Sequence, residues 1–342
     1  MSHKATIADI ARELNTTPAT VSRALSNHPG ISEKMKKSVQ QAASRLNYKR
    51  NRIASSLRSG KTHLIGVIIP SAEINFFGSV VHGIENVANL HGYNVLLYQS
   101  NENREYEQKA LEAFISTRVD GIMVSLAKGT LDYSHFAEIK SRGIPIVFFD
   151  RTNDDLNVDS VVIDDYKGAY LATEHLIKQG YRRIAHISGP QHLKNFYDRL
   201  RGYLAALQAN KIPIDQSLIY HGNVSIESGK EGVRYFLSLP QPPDAVFATE
   251  DFTALGVIKE VKDNGIAIPR EFGVVGFANE LFGEHISPTL STVDQQTIKM
   301  GKTALDLMMD VINQRHNEDR KQRKIVLEPL LLCRGSSNRQ EP

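Results

Sequence analysis

One cysteine, Cys333, is all the thiol chemistry this 342-residue chain holds. That excludes an intrachain disulfide and any zinc site built from several cysteines. It also fits a reducing compartment, and the cytoplasm is the expected location. No apolar run approaches the roughly 18 residues that a membrane span needs. The opening MSHKATIADIARELN has no apolar h-region, so no secretory signal is expected. Catalytic signatures are missing too: there is no Gly-x-Ser-x-Gly elbow and no His-Glu-x-x-His pair. The stretch SGKT, Ser59 to Thr62, imitates the end of a phosphate-binding loop. However, Ser55 stands where that loop needs its first glycine, and the stretch precedes a strand instead of following one. The chain is therefore not expected to be an enzyme, and no cofactor or metal is expected.

Acidic residues are scarce at the front. Residues 1–61 hold twelve lysines and arginines against Asp9, Glu13 and Glu33, a net of +9, so with +3 for the whole chain the rest carries −6. A basic head on a mildly acidic body points to a polyanion-binding module joined to something else.

The head is patterned. Thr6 can cap a helix in which Ile7, Ile10, Ala11 and Leu14 share a face, and Asp9 strengthens its start. Thr17 is placed to cap a second helix with Pro18 at its first position, where a missing N–H costs nothing. Val21 and Leu25 should dock this helix, leaving Pro18, Ala19, Ser22 and Arg23 on the other face. Two helices joined so tightly match a helix-turn-helix. Ser32 can cap a third, reaching about Leu46, with Met35, Val39, Ala42, Ala43 and Leu46 facing inward. The next stretch, NYKRNRIASSLRSGK, places Arg50, Arg52, Arg58 and Lys61 around a small apolar face of Ile53, Ala54 and Leu57. It reads as a linker that folds against a partner.

From Thr62 strands and helices alternate. HLIGVIIP, YNVLLYQS, DGIMVSL and IPIVFFD are buried strands by their apolar runs. Helical segments near 83–91 and 105–118 separate them. After about Asp164 the alternation restarts with RRIAHISGP, SLIYHG, DAVFATED and FGVVGFAN. Helices are expected near 166–179, 199–210, 228–238, 253–264 and 300–313. This predicts two successive parallel α/β units, with LSTVDQ and KIVLEPLLLCR crossing back between them. Ligands of such sheets bind beyond the carboxyl ends of the strands, here in a cleft between two lobes.

Taken in order, ATIADIARELNTTPATVSRALS, NRIASSLRSGKTHLIGVIIP, VDGIMVS, FFDR, DRLRGY, ATEDFTALG and PTLSTVDQ resemble the lactose/galactose-repressor family of bacterial transcription regulators over nearly the whole chain. The resemblance implies an all-α helix-turn-helix head at 1–49, a hinge at 50–61 and a periplasmic-binding-protein-like α/β body at 62–342. The first lobe would comprise about 62–164 and 295–323, the second about 165–294 and 324–336. It further implies a repressor that binds a pseudopalindromic duplex DNA operator as a homodimer, under control of a small-molecule effector. Residues Thr17, Pro18, Ala19, Ser22, Arg23 and Asn27 would meet DNA from the head, and Ala54, Leu57 and Arg58 from the hinge. Arg23 would read guanine or contact a phosphate, and Leu57 would wedge into the minor groove or belong to the head's core. The effector set would be Phe76, Phe77, Ser125, Asp150, Arg199, Val224, Asp251 and Gln295, any polar member of which could instead serve a structural ion pair. Carboxylates, an arginine and an aromatic face suit a sugar. A purine or nucleoside is the alternative; it would lose the stacking that some relatives provide at the position of Val224. A transporter's solute-binding protein shares the two-lobed body but not the head.

Overall fold

Thr6 opens the first helix as the sequence suggests. Its hydroxyl accepts the Asp9 N–H at 3.3 Å, and the Asp9 carboxylate accepts the Thr6 N–H at 2.9 Å. Helix α1 runs Ile7–Glu13, α2 Pro18–Leu25 and α3 Glu33–Arg45. Ile10, Val21 and Val39 are fully buried where the three helices meet. Each such side chain contributes about 1.5–3 kcal/mol through loss of apolar surface from water. Expected to dock through Val21 and Leu25, α2 in fact buries Val21 and Ala24, and Leu25 is half-buried. The small Ala24 lies one turn from Val21 and completes the buried stripe.

The computed structural model describes residues 5–48, 61–314 and 320–339, and the chain divides into two units, Met1–Thr62 and His63–Pro342. Most of the hinge, including Ala54, Leu57 and Arg58, lies outside the described residues.

The body begins with β1 Leu64–Ile69, α4 Asn75–Leu90, β2 Asn94–Gln99, α5 Arg104–Thr117 and β3 Gly121–Val124. Then come α6 Ser134–Ser141, β4 Ile146–Phe149 and β5 Asp159–Ile163. A second series follows: α7 Asp165–Lys178, β6 Ile184–Ser188, α8 Lys194–Ala209, β7 Ile219–His221, α9 Ile226–Leu237, β8 Ala245–Ala248, α10 Asp251–Asp263 and β9 Gly273–Val275. The chain closes with β10 Thr292–Asp294, α11 Thr297–Asn313, β11 Lys324–Leu327 and β12 Leu330–Leu332.

Two parallel sheets result, ordered β11-β5-β4-β3-β1-β2 and β7-β6-β8-β9, and β10 pairs antiparallel with β12 beside the second. Strand β11 pairs in parallel with β5, Lys324 opposite Ser160 through Leu327 opposite Ile163. Residues 324–327 therefore belong to the first lobe. The expectation that the second lobe resumes at 324 is corrected: it resumes past Leu327, because Ile325 and Leu327 find their apolar cover at that sheet edge. The chain passes between lobes three times, and the passages are tied together. Asp164 N–H donates to the Leu327 carbonyl at 3.0 Å, and the Gln296 side chain donates to the Glu328 carbonyl.

The helices that carry candidate site residues cross at glycines. A Cβ on Gly83 of α4 would sit 2.3 Å from the Ile298 carbonyl oxygen of α11. One on Gly229 of α9 would sit 2.1 Å from the Thr253 carbonyl oxygen of α10. Only glycine allows these backbones so close. Gly229→Ala is expected to destabilise the body by about 1–3 kcal/mol through overpacking. Gly78→Ala, whose added Cβ meets nothing within 4 Å, should be neutral or stabilising. Urea denaturation midpoints at unchanged m-value check both.

Candidate functional site

The polar face of α2 is built by its cap. The Thr17 hydroxyl accepts the Thr20 N–H at 3.1 Å, and Pro18 occupies the first helical position. Thr17, Pro18, Ala19 and Arg23 are exposed and Ser22 is half-buried. Asn27, also exposed, takes a left-handed backbone with φ 53° just past the helix. The head's three carboxylates are each engaged with another base: Asp9 with Arg12, Glu13 with Arg45 and Glu33 with Lys36. Arg23 thus stands on an open helix face without an acidic partner among the described residues.

In the body, the turns beyond the strands' carboxyl ends converge on a cavity of about 400 Å³. From the first lobe come Ile74, Phe76 and Phe77 at the start of α4, Glu102 past β2, Lys128 past β3, and Asp150 with Arg151 past β4. From the second come Asn195, Phe196 and Arg199 of α8, Val224, Ser225 and Ile226 before and at the start of α9, Glu250 and Phe252 at α10, and Ala278. Gln295, on the passage back, completes the lining.

Arg199 is 2% exposed. Its guanidinium donates to Asp165 Oδ1 at 2.8 Å, to the Thr249 carbonyl at 2.7 Å and to Gln295 Oε1 at 3.2 Å, and lies 3.7 Å from the Phe277 ring centre. Burial pushes the Asp165 carboxyl up to about 7 against the pull of Arg199. Arg151 donates to both Glu102 oxygens, at 3.0 and 2.8 Å. Burial likewise raises Asp150 and lowers Lys128 from their ordinary values. The lobes touch at the cavity's margins. Lys128 Nζ donates to the Asn223 carbonyl at 3.3 Å, and Glu280 of the second lobe accepts the Phe76 N–H at 3.0 Å, capping α4, which has no side-chain cap of its own.

Six of the eight effector residues expected from the sequence line the cavity: Phe76, Phe77, Asp150, Arg199, Val224 and Gln295. Ser125 and Asp251 do not. Ser125 is fully buried behind Asp150 and donates to its Oδ2 at 3.0 Å. Asp251, also fully buried, accepts the Thr292 hydroxyl and the Glu280 N–H, both at 2.7 Å. The cause is helix register. Glu250 is the N-cap of α10, and its carboxylate accepts the Phe252 N–H at 2.8 Å. One residue on, Asp251 is the first helical residue, and its carboxylate turns inward to Thr292 and the Glu280 N–H. Sequence reasoning missed Glu102, Lys128, Arg151, Asn195, Phe196, Glu250 and Phe252. The strand-end rule, applied to the residues after every strand, would have marked most of them.

Three lining residues have positive φ: Asp150 at 58°, Val224 at 53° and Ala278 at 141°. A β-branched valine in the left-handed region is strained, since its Cβ crowds the following carbonyl oxygen. Such strain persists only where surrounding structure imposes it, commonly at ligand sites. Val224→Asn, which tolerates this backbone, is expected to raise unfolding stability by about 1 kcal/mol. An unchanged or lower urea midpoint would show that the valine is unstrained.

No helix among the described residues is long and apolar enough to cross a membrane, and they hold no group of three or more metal-ligating side chains. Residues 6–51 match the family described as bacterial regulatory proteins, lacI family. Residues 62–330 match periplasmic binding proteins and sugar binding domain of LacI family. The chain is 32% identical over 309 residues to catabolite control protein A of Priestia megaterium, covering 90% of this chain and 92% of that one. A transcriptional regulator CelR–cellobiose complex shares 27% identity, covers 97% of this chain and 100% of its own, and superposes with a TM-score of 0.73. The lac repressor dimer bound to operator and an anti-inducer shares the fold, with a TM-score of 0.85 at 24% identity over 98% of this chain and 99% of its own. With both units matched in order, the chain belongs to the LacI family of bacterial transcription regulators and is not an enzyme.

Proposed function

We propose that this chain represses transcription in the cytoplasm as a homodimer on a pseudopalindromic operator, and that a small polyol, most simply a sugar, held between the lobes sets its affinity for DNA. The observation that carries the DNA half is the exposed α2 face, where Arg23 has no acidic partner among the described residues while the head's three acids are engaged with other bases. Arginine there can donate two bonds to one guanine edge. Pro18 and Ala19 bring no side-chain donors, so they suit contact with a thymine methyl or readout of DNA shape. Ala54, Leu57 and Arg58 are assigned hinge roles on sequence alone, with Leu57 as a minor-groove wedge.

The cleft supports the effector half. Its charged groups suit hydroxyls, and its rings offer apolar faces for C–H surfaces. A ligand spanning both lobes binds one lobe arrangement better than another. Through that difference it shifts the balance between states of different DNA affinity. The cellobiose bound by the CelR relative agrees with a sugar. A nucleoside is the second reading, favoured by Phe196 and Phe252, which give the cavity rings that Val224 does not.

Gel-shift titration of palindromic duplexes at varied salt tests the DNA reading. Affinity should fall steeply with salt, as expected when several phosphates are neutralised. Arg23→Ala should weaken specific binding about tenfold or more and relax preference at one base pair per half-site. A thermal-shift screen of sugars and nucleosides on the full chain tests the cleft, since a ligand bound only to the native state raises Tm. Duplex binding unaffected by salt and by Arg23→Ala would refute the assignment of α2 as reader.

A further inference from the structure

Two side-chain oxygens buried in the cleft wall have no hydrogen-bond partner among the described residues: Glu250 Oε1 and Asn195 Oδ1. Asn195 is only 6% exposed. The Asn195 oxygen is an acceptor, and the Glu250 oxygen is one whenever its carboxyl is ionised. The three cationic side chains of the lining are already committed, Arg199 to Asp165, Thr249 and Gln295, Arg151 to Glu102, and Lys128 to the Asn223 carbonyl. Unmade bonds of buried acceptors are costly, so these atoms, on residues that line the cavity, call for donors from water or from a ligand there.

We propose that the cleft takes an amine-bearing polyol, an aminosugar being the simplest, whose ammonium group donates to Glu250 while a hydroxyl donates to Asn195. This narrows the effector reading above and rests on it. Charge favours the amine over a plain hydroxyl. The lining holds Glu73, Glu102, Asp150 and Glu250, and Asp165 stands behind Arg199; with every carboxyl counted as ionised, these five acids against Lys128, Arg151 and Arg199 give a formal net of −2. Among the described residues no base forms an ion pair with Glu250; its carboxylate instead accepts the Phe252 N–H. Lys128 feels its charge but is held by Asn223 and lies 3.9 Å from Glu102. Burial, then the neighbouring carboxylates Asp251 and Glu280, push the Glu250 carboxyl up to about 8. A cation beside it would favour the ionised carboxylate and so oppose both effects. The aromatic rings of Phe76, Phe77, Phe196 and Phe252 line the same space, and ring faces attract an ammonium group further.

The test is isothermal titration calorimetry on the full chain with glucosamine, galactosamine and mannosamine against glucose, galactose and mannose. Wild type is compared with Glu250→Gln, which keeps a carbonyl oxygen to cap α10; its melting curve confirms folding. At least one amine should bind about tenfold or more tightly than its parent sugar, as a charge-assisted bond implies. In Glu250→Gln that preference should shrink to within about twofold. Parent sugars binding as tightly as the amines, or a preference that survives Glu250→Gln, would overturn the proposal and leave the polyol-sensor reading standing. If neither panel binds and the nucleosides of the thermal-shift screen are also silent, the sensor reading falls and takes this proposal with it.

Discussion

The body is organised around one buried guanidinium. Arg199, on α8, reaches the start of α7 through Asp165, the end of β8 through Thr249 and the returning passage through Gln295, and it lies over the Phe277 ring just past β9. Four segments from different parts of the sequence are thereby held within one side chain's length. A buried charge is tolerable only when its donors are answered, and here they are, by a carboxylate, a carbonyl and an amide. Removing it would leave Asp165 buried without its cation and free the ends of three elements that shape the cleft. Around this fixed point the other polar groups fall into two kinds. Some, such as Ser125 behind Asp150, keep the lining in place. Others, Glu250 and Asn195, line the cavity with one oxygen each that has no partner among the described residues.

How far the sequence foretold this depends on where each element's signals lie. The head could be read almost to the residue, because Thr6, Thr17 and Ser32 cap helices through bonds only three residues long. The starts of α4 and α8 could not. Neither helix has a side-chain cap, and α4 is closed by Glu280, 204 residues away, a partner no local pattern announces. Strand β5 went unread because Asp159 and Ser160 break its apolar run, and α6 because it has no capping side chain. The two lobes and their parallel sheets were legible from apolar runs alone. The cleft was legible where the family resemblance supplied positions. It failed at Asp251, where one step of helix register exchanged a lining carboxylate for a buried one.

Strain and function coincide in the same turns. Asp150, Val224 and Ala278 hold positive φ at the carboxyl ends of strands, where the backbone must swing sharply to aim a side chain inward. The glycine crossings of α4 with α11 and of α9 with α10 supply the rigid background against which those turns are bent. Rigid helices and forced turns together shape the cavity between the lobes.

The three passages between the lobes have a mechanical corollary. A single connecting strand would let the halves swivel, slide or drift apart. Three strands side by side, stitched by Asp164 to Leu327 and by Gln296 to Glu328, act like the leaf of a door. Bending about their common line is the movement such ties oppose least. A molecule that grips both halves of the cleft would therefore act along that bend.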